Sequence, residues 1–268
     1  MHSDEITIRR ILVAVDSAAE GLAALETATR LAAWLSAELA GLFVEDANLL
    51  RLASLPFARE VGFHSAAVRR LQPIDVERAL RLKAARLERA VAQAAEEMNA
   101  EWSFRVVRGE LLAQALAMAT GMDLLVLGKG SGAIGPSPVR AGGLPSAAAL
   151  GSGPVVVLYD GSQTAWRALA AALQLGVAHR HELLVVLAAH HTTAFPPLRA
   201  EVMHWLVERG AATARFLPLS TSDSVPLIER LCALRAATVV LPIGSPFTTP
   251  ENLAALLTEL FCPLVLVR

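Results

Sequence analysis

The sequence predicts an α/β protein of two tandem, doubly wound parallel-sheet domains, and three observations lead there. Short, wholly apolar runs alternate with stretches of helical period along the chain. That is the pattern of a parallel sheet whose strands are covered on both faces by helices. The second half repeats the first: Asp16 superposes on Asp160, Leu25 on Leu169, Ala28 on Ala172 and Leu31 on Leu175, which marks an internal duplication. The length of 268 residues is about 1.8 domains at roughly 150 residues each. The division falls at residues 1–152 and 153–268.

Taken in order, Ile11–Asp16 is a first strand, apolar up to its terminal carboxylate. A helix follows with Leu22, Leu25, Ala28, Leu31 and Leu35 on one stripe, then a strand from Leu39 to Glu45. Residues 46–74 read as irregular or partly helical, broken by Pro56 and Pro73. Asp75 is the expected N-cap of a long helix to about Asn99, with Val76, Leu80, Leu87, Val91 and Met98 turned inward. Trp102–Val107 is a strand, Glu110–Thr120 a short helix and Asp123–Leu127 a fourth strand, followed by the irregular segment Gly128–Gly143.

The order restarts at Pro154 with the strand Val155–Asp160 and a second strand, Leu183–Ala189. A helix near Leu198–Glu208, a strand Thr213–Pro218 and a helix Val225–Ala236 come next. The strand Thr238–Pro242, a helix Pro250–Phe261 and the strand Pro263–Val267 complete the chain. Pro154–Tyr159 is needed as the first strand of the second repeat. The first repeat is therefore expected to have four strands and no fifth of its own.

Composition narrows the function. Lys+Arg 24 against Asp+Glu 25 gives a net charge of −1, which supplies no general attraction for polyphosphate. The most basic stretch, Arg78–Arg89, alternates with Glu77 and Glu88 as a solvated helix face does, so no nucleic-acid partner is expected. Charged residues such as Glu26, Arg30, Asp123 and Asp160 cut every apolar run before the ~18 residues that a spanning helix needs, so no membrane partner is expected. Met1–Glu5 lacks the order of a signal peptide. The two cysteines, Cys232 and Cys262, are expected as buried, inert thiols in a reducing cytoplasm. At 54% hydrophobic and 18% charged, the chain is more apolar than the usual charged share of about 25% implies, and an additional interface is expected.

Three features fall at strand C-termini, where open α/β sheets bind ligands. They are Asp16 (repeated as Asp160), the strand end Leu42–Asp46, and the glycine loop after the fourth strand. A carboxylate there accepts hydrogen bonds from ribose hydroxyls or an adenine amino group. A strand end offers backbone groups to a base edge. A glycine loop brings backbone N–H groups onto phosphate oxygens, because no Cβ blocks the approach.

These residues resemble the universal stress protein family. The likeness rests on Asp16, the Phe43-Val44-Glu45-Asp46 strand end, the loop between Val126-Leu127-Gly128 and Gly153-Pro154-Val155, and Tyr159-Asp160-Gly161-Ser162. It spans nearly the whole chain in tandem form. The resemblance implies Rossmann-like sheets of order 3-2-1-4-5, no catalytic reaction, cytoplasmic location and homodimers. It also implies ATP, with Mg²⁺, on a loop of pattern Gly-x2-Gly-x9-Gly-[Ser/Thr]. This chain has Ser131 and Ala141 where that spacing needs glycine; one inserted residue recovers Gly128, Gly132, Gly142 and Gly143. The expected adenine-nucleotide site is therefore Asp16, Val44, Gly128, Lys129, Gly132, Gly142 and Gly143.

The second repeat has Pro242-Ile243-Gly244-Ser245-Pro246 in place of that loop. With two prolines lacking N–H donors, it is expected to bind no triphosphate in the same way, and Asp160 is expected to cap the following helix. Gly130–Gly135 matches Gly-x-Gly-x-x-Gly, but Pro136 and Pro138 stop the helix that a dinucleotide fold needs there. Neither a Walker loop nor a nucleophile elbow is present. The histidines His179, His181, His190 and His191 are expected to be structural or solvent-exposed rather than metal ligands. Trp34, Trp166 and Trp205 are expected to be packing residues. Two functions remain: a stress-response module that binds nucleotide and signals to a protein partner, or a scaffold for dimerisation or protein interaction that binds none.

Overall fold

In the computed structural model, strand order follows from hydrogen-bonded register rather than from chain order. The structure describes residues 8–16, 21–61, 68–128, 153–189, 191–211, 213–219, 224–260 and 262–268. The first repeat comprises β1 (Arg10–Asp16), α1 (Gly21–Leu35), β2 (Glu38–Asp46), α2 (Ala47–Ser54), β3 (Arg59–Val61), β4 (Val68–Arg70), α3 (Pro73–Met98), β5 (Trp102–Gly109), α4 (Leu111–Met118) and β6 (Leu124–Gly128). The second comprises β7 (Val155–Tyr159), α5 (Gln163–His179), β8 (Leu183–Ala188), α6 (Phe195–Glu208), β9 (Arg215–Leu219), α7 (Ser224–Leu234), β10 (Thr238–Pro242), α8 (Pro250–Glu259) and β11 (Leu264–Val267).

The two sets of strands form one nine-stranded sheet, β5-β2-β1-β6-β11-β10-β7-β8-β9. The expected α/β doubly wound fold is present in both halves, 3-2-1-4 in the first and 3-2-1-4-5 in the second. β7 pairs in parallel with β8 and β10, so it is the first strand of the second repeat. The position that a fifth strand of the first repeat would hold is taken by β11. It lies parallel to β10 on one side and antiparallel to β6 on the other, with Leu264 opposite Leu127 and Val267 opposite Leu124. The backbone N–H of Arg268 extends this ladder to the Asp123 carbonyl at 3.0 Å.

Alternation along each strand divides the core into two layers. Ile11, Val13, Val126 and Val265 face the layer that includes buried residues of α1, α3 and α5. Leu12, Ala14, Leu125 and Leu266 face the layer of α4, α7 and α8. Residues matched by the duplication occupy equivalent places: Leu25 and Leu169, Ala28 and Ala172, Leu31 and Leu175 are all buried. Tyr159 is fully buried, donates its hydroxyl proton to Glu201 at 3.3 Å, and meets Trp166 edge-on at 5.0 Å. Burial, reinforced by Glu201, raises its pKa and keeps the hydroxyl protonated. Trp166 also packs on Trp205, as expected.

Several expectations need correction. The long helix starts at Pro73 with Gln72 as N-cap, and Asp75 lies inside the first turn. Proline suits that position because its missing N–H would be unpaired there anyway, while Asp75 complements the helix dipole. Residues 46–74 contain α2, whose first turn is capped by Asp46 accepting from the Asn48 N–H at 2.8 Å. They also contain a short antiparallel ribbon, β3–β4. Trp34 is 49% exposed on the flank of α1. Cys232 is exposed, with its Sγ 3.6 Å from the Glu259 carbonyl. Cys262 does have a thiol pushed up to about 12, chiefly by burial. The expected basic-acidic helix face holds, with Arg78, Arg81, Arg86 and Arg89 exposed and Arg81 paired to Glu77 at 3.1 Å. No helix among the described residues is long and apolar enough to cross a membrane.

Leu266 is fully buried and sits opposite Leu125 across the β6–β11 junction. Leu266→Ala is expected to lower the unfolding free energy by about 2–5 kcal/mol, measured by urea denaturation. The transition should stay single, because both halves lose the same strand's packing. Two separated transitions with only one displaced would contradict this.

Candidate functional site

The C-terminal ends of β1, β2 and β6 meet at the point where strand order reverses, the usual ligand crevice of an open α/β sheet. Register places Asp16 opposite Val44 and Val15 opposite Gly128. Three expected site residues thus come from neighbouring strands at one edge. The Val44 side chain is buried in the core, so its contribution to a ligand is limited to backbone. Asp16 is half-buried at the strand end. Lys129, Gly132, Gly142 and Gly143 lie outside the described residues, as do Ser131 and Arg140.

Beside this edge, Glu45 is almost buried and accepts from the Arg108 guanidinium at 2.7 Å. The hydrogen bond and charge of Glu45 hold Arg108 more firmly protonated. Arg108 comes from β5, and the pairing of Glu45 with Arg108 in adjacent strands brings the two together. Local sequence carries no signal for that pair, since β2 and β5 are joined through α2, the ribbon and α3.

The second repeat presents the matching edge, and here a cleft of ≈ 710 Å³ opens. Its floor is the end of β7, with Leu158 and Asp160; Ala188 and Ala189 bound it at the end of β8, and Leu198 of α6 forms one wall. Phe247, in the 3-10 turn Pro246–Thr248, bounds it on the β10 side. Asp160, expected as the cap of the following helix, is not its N-cap: it accepts from the Ser162 N–H at 3.0 Å, and Ser162 caps α5 by accepting from the Ala165 N–H at 3.1 Å. Gly161 turns the chain between them at φ +81°, and a Cβ there would press on Leu198 at 3.1 Å. Both constraints call for glycine.

The loop after β10 spends its amides internally. Ile243 N–H donates to the Val267 carbonyl at 2.7 Å, Ser245 N–H to Pro242 at 3.4 Å and Thr248 N–H to Ser245 at 3.0 Å. Gly244 N–H donates to Thr248 Oγ1 at 3.1 Å. Pro246 has none to give. An anion-binding nest needs several free N–H groups aimed at one point, and these four are engaged. Sequence reasoning missed the cleft. The signals for it were the repeat of Asp16 as Asp160 and the small pair Ala188-Ala189, which leaves room at the end of β8. No group of three or more metal-ligating side chains occurs among the described residues.

Thr248→Val removes the acceptor for Gly244 N–H and the donor to the Ser245 carbonyl, a 2.9 Å bond. A loss of about 1 kcal/mol in unfolding free energy is expected, read from thermal or urea melts. An unchanged melt would show that Thr248 does not hold this loop.

Comparison with known proteins gives a structural answer. A universal stress protein from Archaeoglobus fulgidus matches with a TM-score of 0.50 and 13% identity, covering 96% of this chain and 96% of that one. A protein of the universal stress protein family from Burkholderia pseudomallei matches 43% of this chain over 96% of its own, with 23% identity and a TM-score of 0.32. A universal stress protein in complex with cAMP matches 44% of this chain over 98% of its own, with 20% identity and a TM-score of 0.36. The first, which spans both repeats, shows that the tandem universal-stress-protein fold is the fold of this chain. No protein-family model matches the sequence, and a search of curated proteins finds no match.

Proposed function

We propose that this chain, built on the tandem universal-stress-protein fold, is a non-catalytic stress-response module that binds an adenine nucleotide in its first repeat. The observation that supports this most is the register that sets Asp16 beside Val44 and Gly128 beside Val15 at the reversal point of strand order. There Asp16 would take ribose hydroxyls or the adenine amino group, and Val44 would meet a base edge through its backbone. Gly128, Lys129, Gly132, Gly142 and Gly143 would carry the phosphates of ATP, with Mg²⁺. Lys129 would add a cation, and each glycine would let the backbone approach the phosphates closely. Ligand binding would then change the surface shown to a protein partner. The homodimer and the cytoplasmic setting expected from sequence belong to the same proposal.

Equilibrium binding of ATP to the purified full chain tests it, with and without Mg²⁺. Saturable binding is expected, weakened at least tenfold by Asp16→Ala and by Gly132→Val. No saturation at millimolar ATP would contradict the proposal and leave the scaffold reading in its place.

A further inference from the structure

The nine-stranded sheet ends in β9 on one side and β5 on the other, and backbone alternation decides what each edge offers to solvent. The Leu219 carbonyl accepts from the Ala189 N–H at 3.1 Å. Arg215, Leu217 and Leu219 therefore turn their backbone groups towards β8, while Phe216 and Pro218 turn theirs outward. Pro218 has no N–H to offer, and a proline at an outward position blunts an edge strand. On β5 the Glu101 carbonyl accepts from the Leu39 N–H at 3.0 Å. By the same alternation Ser103, Arg105 and Val107 bond towards β2, whereas Trp102, Phe104, Val106 and Arg108 point their N–H and C=O groups outward, with no proline among them. Trp102 is 40% and Val106 47% exposed. Both stand on the same face of the sheet as Phe104, whose ring meets Val91 of α3 over Gly41.

We infer that β5 is a self-association edge: the β5 strands of two copies pair antiparallel about a two-fold axis at Phe104 and join two nine-stranded sheets into one. This rests on the homodimer of the reading above and names its surface, and it does not depend on nucleotide. A two-fold axis perpendicular to the sheet sets each residue opposite one on the same face. Three registers then pair at least three of the four outward residues, centred on Phe104, Arg105 or Val106. Centring on Arg105 sets two guanidinium side chains directly opposite each other, which is unfavourable. Centring on Val106 sets Phe104 against Arg108, whose guanidinium is already held by Glu45 at 2.7 Å. Centring on Phe104 sets the two Phe104 rings together and each Trp102 opposite the other copy's Val106. Both exposed apolar side chains are then covered, and Arg105 faces Ser103. Charge on α3 agrees with this axis. The exposed Arg86 and Arg89 precede Val91, and the exposed Glu96 and Glu97 follow it. Two α3 helices related by the axis run antiparallel, so the basic stretch of each lies on the side of the other's acidic end.

Sedimentation equilibrium of the full chain without nucleotide tests this separately from ATP binding. A dimer is expected. Val106→Pro, which gives β5 the feature that Pro218 gives β9, should raise the dimer dissociation constant at least tenfold with the far-ultraviolet circular dichroism unchanged. Register is read by cross-linking in chains that also carry Cys232→Ser. Ser103 and the second copy's Arg105 form a non-hydrogen-bonded pair, with Cα atoms about 4.5 Å apart. A mixture of Ser103→Cys and Arg105→Cys chains should therefore form a covalent dimer under mild oxidation, and neither chain should do so alone. If Val106→Pro fails to fold, the cross-link decides. A chain monomeric at every concentration would overturn the inference together with the proposed homodimer, and would leave the proposed nucleotide site to its own test. A dimer unmoved by a folded Val106→Pro chain, or a mixture that does not cross-link, would overturn the inference alone.

Discussion

The last strand has two edges, and each is satisfied by a different half of the molecule. An open edge of a buried parallel sheet would leave a row of unpaired N–H and C=O groups against apolar surroundings, at a cost that native proteins avoid. With four strands of its own, the first repeat would expose that edge at β6. β11 closes it by antiparallel pairing while remaining parallel to β10. The strand order reads 3-2-1-4-5-4-1-2-3, with β11 at its centre. One strand thus acts as the fifth strand of both repeats. The apolar character of the sequence finds its use here, since the junction adds a buried seam that separate domains would lack.

The direction of that pairing has a functional consequence. Within the nine-stranded sheet, the strands of the first repeat run parallel to one another, as do those of the second. The antiparallel β6–β11 contact reverses one set against the other. The C-terminal edges therefore emerge on opposite sides of the sheet, and the Asp16 edge and the Asp160 cleft face away from each other. Coupling between them would have to pass through the central strands or through the helices α1 and α5, which lie in one core layer across the junction.

Much of this was legible because buried parallel strands write themselves as apolar runs. The duplication and the role of Pro154–Tyr159 come from local residues or their repetition. The partner of β6 did not. Leu124–Gly128 and Leu264–Val267 are apolar on both faces, so neither direction nor register is encoded in an alternation that a slip would violate. The β3–β4 ribbon escaped for the opposite reason. Its strands are three residues each and rich in arginine, and its pairing is a tertiary fact. Trp34 was expected to pack because it falls in a helical run, yet its place on the flank of α1 leaves half of it in solvent.

The central claim is that β11 completes the sheet of the first repeat, and amide hydrogen exchange tests it residue by residue. A strand paired on both sides has every amide protected, whereas an edge strand protects only alternate ones. Each amide from Leu124 to Gly128 whose strand neighbours are β1 and β11 should exchange as slowly as those of β10, which is paired on both sides by β7 and β11. Alternating fast and slow exchange along Leu124–Gly128 would contradict the account, because it would mean that β6 is an open edge and that the two repeats are separate sheets.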